Sequence, residues 1–130
     1  MTRVLVVDDE VDIRESLRLL LEDAGHSVSE AGNGVEALDV LRASERPLVV
    51  LLDLLMPQLD GVGMLHAVVA DPWLATNHAY VLITADNKAP QRTAIPQFSS
   101  LYLVTVAKPF DMDVLLDVVA EAAKRLPPSA

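Results

Sequence analysis

The chain of 130 residues contains no cysteine. That excludes a disulfide framework, a thiolate metal site and a cysteine nucleophile, and it accords with a reducing compartment. Basic residues are also scarce: ten Lys and Arg stand against nineteen Asp and Glu, a net charge of −9 with His neutral. Nucleic acids and anionic membranes are bound through clustered Lys and Arg, so neither is expected as a partner. No apolar run approaches the ~20 residues of a membrane span. The start, Met1-Thr2-Arg3, passes at once into Val4–Val7 and turns acidic at Asp8, which is too short and too acidic for a signal peptide. There is no internal repeat, low-complexity tract or Gly/Ser linker, and no Gly-rich phosphate loop follows any apolar run. These absences leave one acidic, cytoplasmic domain over residues 1–130. Its 52% hydrophobic content is enough for a sizeable core.

Four short runs are apolar throughout: Val4–Val7, Leu48–Leu52, Tyr80–Ile83 and Leu101–Val106. Their length and branched side chains predict strands buried on both faces of a parallel sheet. Ser27–Ala31, where Val28 sits between polar neighbours, suits an edge strand. Between the strands lie helical patterns. Ile13, Leu17, Leu20, Leu21 and Ala24 share one helical face, with Gly25 placed to end it. Val35–Ala43 follows the Asn33-Gly34 turn, and Met64, Leu65, Val68 and Val69 make a third apolar face. Leu115, Val118, Val119, Ala122 and Leu126 repeat the spacing until Pro127-Pro128 stops the helix. Strands alternating with helices imply an α/β fold with parallel strands and right-handed crossovers. Pro90 and Pro96 fall where a further helix is expected, and an interior Pro costs a helix ~3 kcal/mol, so any helix there is short.

The polar groups collect where these strands end. Asp8 and Asp9 follow the first apolar run, Asp53 the third strand, Thr84 closes the fourth and Lys108 comes just after the fifth. Open α/β sheets bind ligands outside the carboxyl ends of their strands, at the point where strand order reverses. Parallel strands therefore gather three carboxylates, a hydroxyl and an ammonium on one edge. Three crowded carboxylates repel one another, and a hard divalent ion such as Mg²⁺, which takes oxygen ligands and keeps waters for a phosphate to replace, relieves that repulsion. Lys108 can serve as a point charge on a phosphoryl oxygen and Thr84 can donate its hydroxyl to another. Asp53 stands alone at its strand end and is the better nucleophile for an aspartyl phosphate, whereas Asp8-Asp9 form a pair suited to metal. Taken by itself, the Asp8-Asp9 pair suits the cap and first-turn acid of a helix better than a metal site, and only Asp53 and Lys108 in register reverse that.

Asp8-Asp9, the run Asp53-Leu54-Leu55-Met56-Pro57-Gln58-Leu59-Asp60-Gly61, Thr84-Ala85 and Lys108-Pro109-Phe110 together resemble the response-regulator receiver domain, in order and over nearly the whole chain. The resemblance implies a CheY-like, flavodoxin-like (βα)₅ fold, a doubly wound five-stranded parallel sheet of order 2-1-3-4-5. It implies that Asp53 accepts a phosphoryl group from a histidine kinase or phosphotransfer protein. Asp8, Asp9, Asp53 and the backbone carbonyl of Leu55 would bind Mg²⁺ or Mn²⁺, Thr84 and Lys108 would contact the phosphoryl group, and the Lys108–Pro109 peptide would be cis. On this reading the protein is a phosphoacceptor with chemistry on itself and no separate substrate. It is a monomer or weak dimer that acts through a downstream protein partner. With the chain ending at Pro127–Ala130, it reads as a stand-alone receiver or as a receiver followed by the start of a linker.

The sequence departs from the family at the switch. Members usually carry Tyr or Phe at the position of Thr105, and Tyr102 lies on the opposite face by strand alternation. Phosphorylation chemistry is then retained while signal transmission is altered. Leu55 can shield the site from water, whereas Asp86 can orient water or pair with Lys88, two opposed effects on the lifetime of the phosphorylated state; Ala85 leaves the phosphoryl group room. A phosphohydrolase reading suffers because Leu55 occupies the place of a second acid and the chain has no length for a substrate cap. A phosphorylation-independent interaction module is the other alternative. His26, His66 and His78 read as surface or partly packed residues, Trp73 as a loop side chain packed on the sheet's flank, Asp12 as a solvated first-turn residue, Met56 and Phe110 as packing beside the site, and Asp60-Gly61 as a turn.

Overall fold

The structure is a computed structural model, and it describes residues 2–53, 61–84, 101–107 and 111–127, without the side chains of residues 61, 62, 84 and 107. Five strands and five helices lie among these residues: β1 (Arg3–Val7), α1 (Val11–Asp23), β2 (Ser27–Ala31), α2 (Gly34–Ala43), β3 (Val49–Asp53), α3 (Gly61–Val69), α4 (Pro72–Asn77), β4 (Ala79–Thr84), β5 (Tyr102–Ala107) and α5 (Met112–Ala123). The strands form one sheet of order β2-β1-β3-β4-β5, and every neighbouring pair is parallel. The α/β class and the 2-1-3-4-5 order expected from the sequence are thereby met.

Strand alternation divides the core into two layers. Leu5, Val7, Val50, Leu52, Tyr80 and Leu82 face one way, against Leu38 and Leu41 of α2, Met64, Leu65 and Val68 of α3, and Leu74 of α4. Val4, Val6, Val49, Leu51, Val81 and Ile83 face the other way, against Leu17 and Leu21 of α1 and Leu115 and Val119 of α5. The central strands β1, β3 and β4 are apolar on both faces because helices cover both faces. β5 departs from the expectation of full burial. It is the second edge of the sheet, and Tyr102, Leu103, Val104 and Thr105 are only half-buried.

Helix ends follow local chemistry. α1 closes in a Schellman motif, with His26 N–H donating to the Leu21 carbonyl and Gly25 N–H to that of Glu22. Gly25 adopts φ +96°, which a side chain would strain. α2 opens at Asn33, whose Oδ1 accepts the Glu36 N–H at 2.9 Å. α4 answers to no expectation from the sequence. Asp71 caps it by accepting the Trp73 and Leu74 N–H groups, and Pro72 occupies its first turn. Trp73 is therefore an exposed helix residue and not a loop side chain packed against the sheet. α5 ends at Ala123, so Leu126 packs on the core from the turn beyond the helix although it keeps the helical spacing.

Candidate functional site

The register of the sheet assembles the acidic cluster. In the β1–β3 pair Val7 lies beside Leu52, so the next residues, Asp8 and Asp53, leave adjacent parallel strands at the same level. β1 continues to β2 at one edge of the sheet and β3 continues to β4 towards the other, so the gap between β1 and β3 is where strand order reverses. One carboxylate oxygen from each of Asp8, Asp9 and Asp53 can be chosen so that all three lie within 4.8 Å of one another. Asp8 is buried, Asp53 half-buried and Asp9 exposed, so the cluster spans from the sheet to the solvent.

The loop from β1 to α1 is held in detail. Asp8 N–H donates to the Ala31 carbonyl at 3.2 Å, one residue past the last β1–β2 pair. Its Oδ1 accepts the Glu10 N–H at 2.9 Å. Asp8 and Asp9 do not cap α1, since Glu10 occupies the N-cap position and supplies no side-chain bond. Asp12 stands exposed in the first turn of the helix, as expected. Three carboxylates with only hard oxygen donors, one of them oriented by a backbone N–H, match what Mg²⁺ or Mn²⁺ requires and give soft metals nothing.

The β4 backbone runs to Thr84, beside Ala107 of β5, so both strands end at the same edge as the acidic cluster. The Thr84 side chain lies outside the described residues, as do Leu55, Met56, Asp60, Ala85, Asp86, Lys88, Pro90, Pro96, Lys108, Pro109 and Phe110 and the tail from Pro128. Thr105 is half-buried on the face it shares with Leu103, in the layer that holds α2, α3 and α4. Tyr102 packs on the opposite layer, with the Arg125 guanidinium 5.7 Å from its ring centroid. The opposed orientation of the two positions is as the strand alternation requires.

His78 is the main surprise outside this edge. It is buried, 3% exposed, and its Nδ1 accepts the Leu48 N–H at 3.0 Å. Burial lowers its pKa to about 4, and the Leu41 carbonyl offsets part of that effect. His26 is half-buried and its pKa is lowered too, by burial and then by the positive chain start. His66 is exposed on α3. A lone His before a strand carries no sequence signal when its partner is a backbone amide.

Fold and cluster define a doubly wound α/β domain with three carboxylates that could hold a hard cation at the carboxyl edge of its central strands. The family model of the response regulator receiver domain matches residues 4–120. Response regulator MprA of Mycobacterium avium is 36% identical over 127 residues, covering 97% of this chain and 53% of that protein. Thus the chain spans about half the length of the curated relatives it matches. Among solved structures, a CheY-like response regulator receiver domain protein from Methanospirillum hungatei has a TM-score of 0.81 at 30% identity, covering 95% of this chain and 94% of the other. The response regulator TrrA of Thermotoga maritima, in complex with Mg²⁺-BeF, has a TM-score of 0.77 at 28% identity over 94% of this chain and 99% of its own. The chain belongs to the response regulator receiver domain family. Receiver domains of two-component systems are phosphoacceptor switches supplied by histidine kinases or phosphotransfer proteins, and not enzymes with a separate substrate. Among the described residues, no helix is long and apolar enough to cross a membrane.

Proposed function

We infer that Asp53 is the phosphoacceptor of this chain and that Asp8, Asp9 and Asp53, with the backbone carbonyl of Leu55, hold Mg²⁺ or Mn²⁺. The observation that carries the reading is the convergence of the three carboxylates within 4.8 Å at the switch point of the sheet. Held by Asp8, Asp9 and Asp53, a divalent ion would offset the negative charge of a phosphoryl group at this acidic site. An Asp53 carboxylate oxygen attacks phosphorus, the phosphorus–nitrogen bond of the donor phosphohistidine breaks, and the departing imidazole nitrogen takes up a proton. Lys108 supplies a fixed positive charge to one phosphoryl oxygen and Thr84 a hydroxyl to another. Ala85 is small enough to leave room beside that group, and Leu55 and Asp86 set how readily water reaches it. The same cluster supports self-phosphorylation by small phosphodonors and self-dephosphorylation, both on this chain alone.

Thr105 replaces the aromatic residue usual at its position, and Tyr102 faces the other layer, so the switch transmits phosphorylation without an ordinary inward swing of an aromatic ring. The chain works in the cytoplasm, receives its phosphoryl group from a histidine kinase or phosphotransfer protein and answers to a downstream protein partner, as a monomer or weak dimer.

The deciding experiment is intact-protein mass after incubation with Mg²⁺ and a small-molecule phosphodonor, for the wild type and Asp53→Asn. One phosphoryl adduct on the wild type alone, abolished by chelation, is the expected result. A folded, Mg²⁺-binding wild type that gains no adduct would favour a phosphorylation-independent interaction module.

A further inference from the structure

The polar groups of Asp8 are committed with one exception. Its N–H donates to the Ala31 carbonyl at 3.2 Å, its carbonyl accepts Arg14 Nη1 at 2.8 Å, and its Oδ1 accepts the Glu10 N–H at 2.9 Å. Among the described residues, its second carboxylate oxygen accepts no hydrogen bond, and Oδ1 keeps a lone pair beside the one it has engaged. Arg14 is anchored in turn, since its Nε donates to Glu30 Oε1 at 3.1 Å while Arg18 Nη1 takes Glu30 Oε2 at 2.7 Å. One guanidinium on α1 therefore fastens the exit of β1 to β2, from a side chain only 18% exposed. Gly32 leaves room beside it: a Cβ there would stand 3.4 Å from Arg14 Nη1 and 3.3 Å from Glu36 Oε2.

Charge alone gives no reason for this arrangement. A cation beside an acidic site opposes the entry of a dication, and Glu30 only partly cancels it. Partly exposed ion pairs contribute little to stability. What a planar fork does well is hold two acceptors at once in fixed geometry, which a point-like ammonium cannot do. Groups that orient the ligands of a metal govern its affinity without touching it.

We propose that Arg14 is a positioning residue for the Asp8-Asp9 pair, oriented by Glu30, and that its role is to set divalent-cation affinity. This rests on the reading of the three carboxylates as the cation site. The sign of the effect separates positioning from electrostatics, because removing a nearby positive charge tightens cation binding if charge is all that matters.

The test is calorimetric titration of the full chain with Mg²⁺ for the wild type, Arg14→Met, Arg14→Lys and Glu30→Gln. Arg14→Met keeps the apolar stem and is expected to weaken binding about 10- to 100-fold. Arg14→Lys keeps the charge but not the fork and also weakens it; Glu30→Gln does so to a smaller degree. Thermal melting without metal is measured alongside. Arg14→Met with unchanged or tighter affinity, whatever its melting temperature, would overturn the proposal while leaving the cation site intact. A wild type that binds no Mg²⁺ would instead overturn the site itself. If Arg14→Met does not fold, Arg14→Lys decides, because it keeps the charge and loses only the fork, and wild-type affinity in that variant overturns the proposal.

Discussion

The Leu48 N–H donates to His78 Nδ1 over 3.0 Å, and the Leu48 carbonyl accepts the Ala79 N–H at 3.0 Å. The residue before β3 is thus tied through both main-chain groups to the start of β4, at the edge of the sheet opposite the carboxylates. An acceptor Nδ1 means that the neutral ring carries its proton on Nε2.

Protonation of His78 would set a second N–H against that of Leu48. Its pKa is about 4 in the folded protein against 6.5 when free, so the unfolded chain binds more protons between those values. Stability contributed by the neutral ring is complete above pH 6.5 and falls as the pH drops towards 4, by about 3 kcal/mol in all. His78→Asn offers an amide oxygen in place of Nδ1 and does not titrate. Urea unfolding from pH 7 to pH 4 should show a steeper loss for the wild type than for the variant, and parallel curves would refute the assignment.

Tyr80 is fully buried, and its hydroxyl donates to the Leu74 carbonyl of α4 at 2.8 Å. Burial, reinforced by the nearby Asp71 charge, raises its pKa and keeps the phenol protonated. Tyr80→Phe leaves a buried carbonyl without this donor and should cost about 1–3 kcal/mol. Denaturant unfolding measures the loss, and a neutral result would mean that water replaces the hydroxyl.

Three carboxylates within 4.8 Å repel one another when no cation is bound. Asp9 is exposed, so Asp9→Asn changes charge with little loss of packing. The metal-free variant is expected to be more stable than the wild type by ~1 kcal/mol, the interaction of two charges at such a distance in water. In the wild type, Mg²⁺ at a hundred times its dissociation constant should add about 2.7 kcal/mol, an increment the variant loses over the same range. Thermal melting with and without Mg²⁺ checks both signs.

Thr105→Ala alters a half-buried position on β5, which β4 separates from the strand that carries Asp53. Phosphoryl uptake by mass spectrometry should remain at the wild-type rate, because no reacting group is touched. A slowed uptake would place the Thr105 hydroxyl within the chemistry instead of the transmission of the signal.

The chain's alternating apolar runs made the strands and the two-layer core legible, since full burial of β1, β3 and β4 demands uninterrupted apolar sequence. The carboxylate cluster was legible for the same reason: Asp8 and Asp53 stand where such runs stop. What escaped the sequence depends on partners without a residue signature. His78 bonds to a main-chain amide, and Arg14 to a main-chain carbonyl. α4 did leave a signal, Asp71 before Pro72, but six residues are too few to display a periodic apolar face. β5 reads like a central strand because its residues are as apolar as those of β4, yet it has a neighbour on one side only.

The pairing of Val7 with Leu52 makes the meeting of Asp8 and Asp53 a matter of counting along two strands, and the distance between them along the chain is irrelevant to it. Added residues in the turn at 44–47, which joins α2 to β3 away from the carboxyl edge, leave the count intact. One residue inserted within β3 turns every later side chain to the opposite face and carries Asp53 out of step with Asp8. The address of the Asp53 carboxylate is thus written in the last few apolar residues before it, which allows the intervening helices and turns to drift in length while the cluster stays where it is.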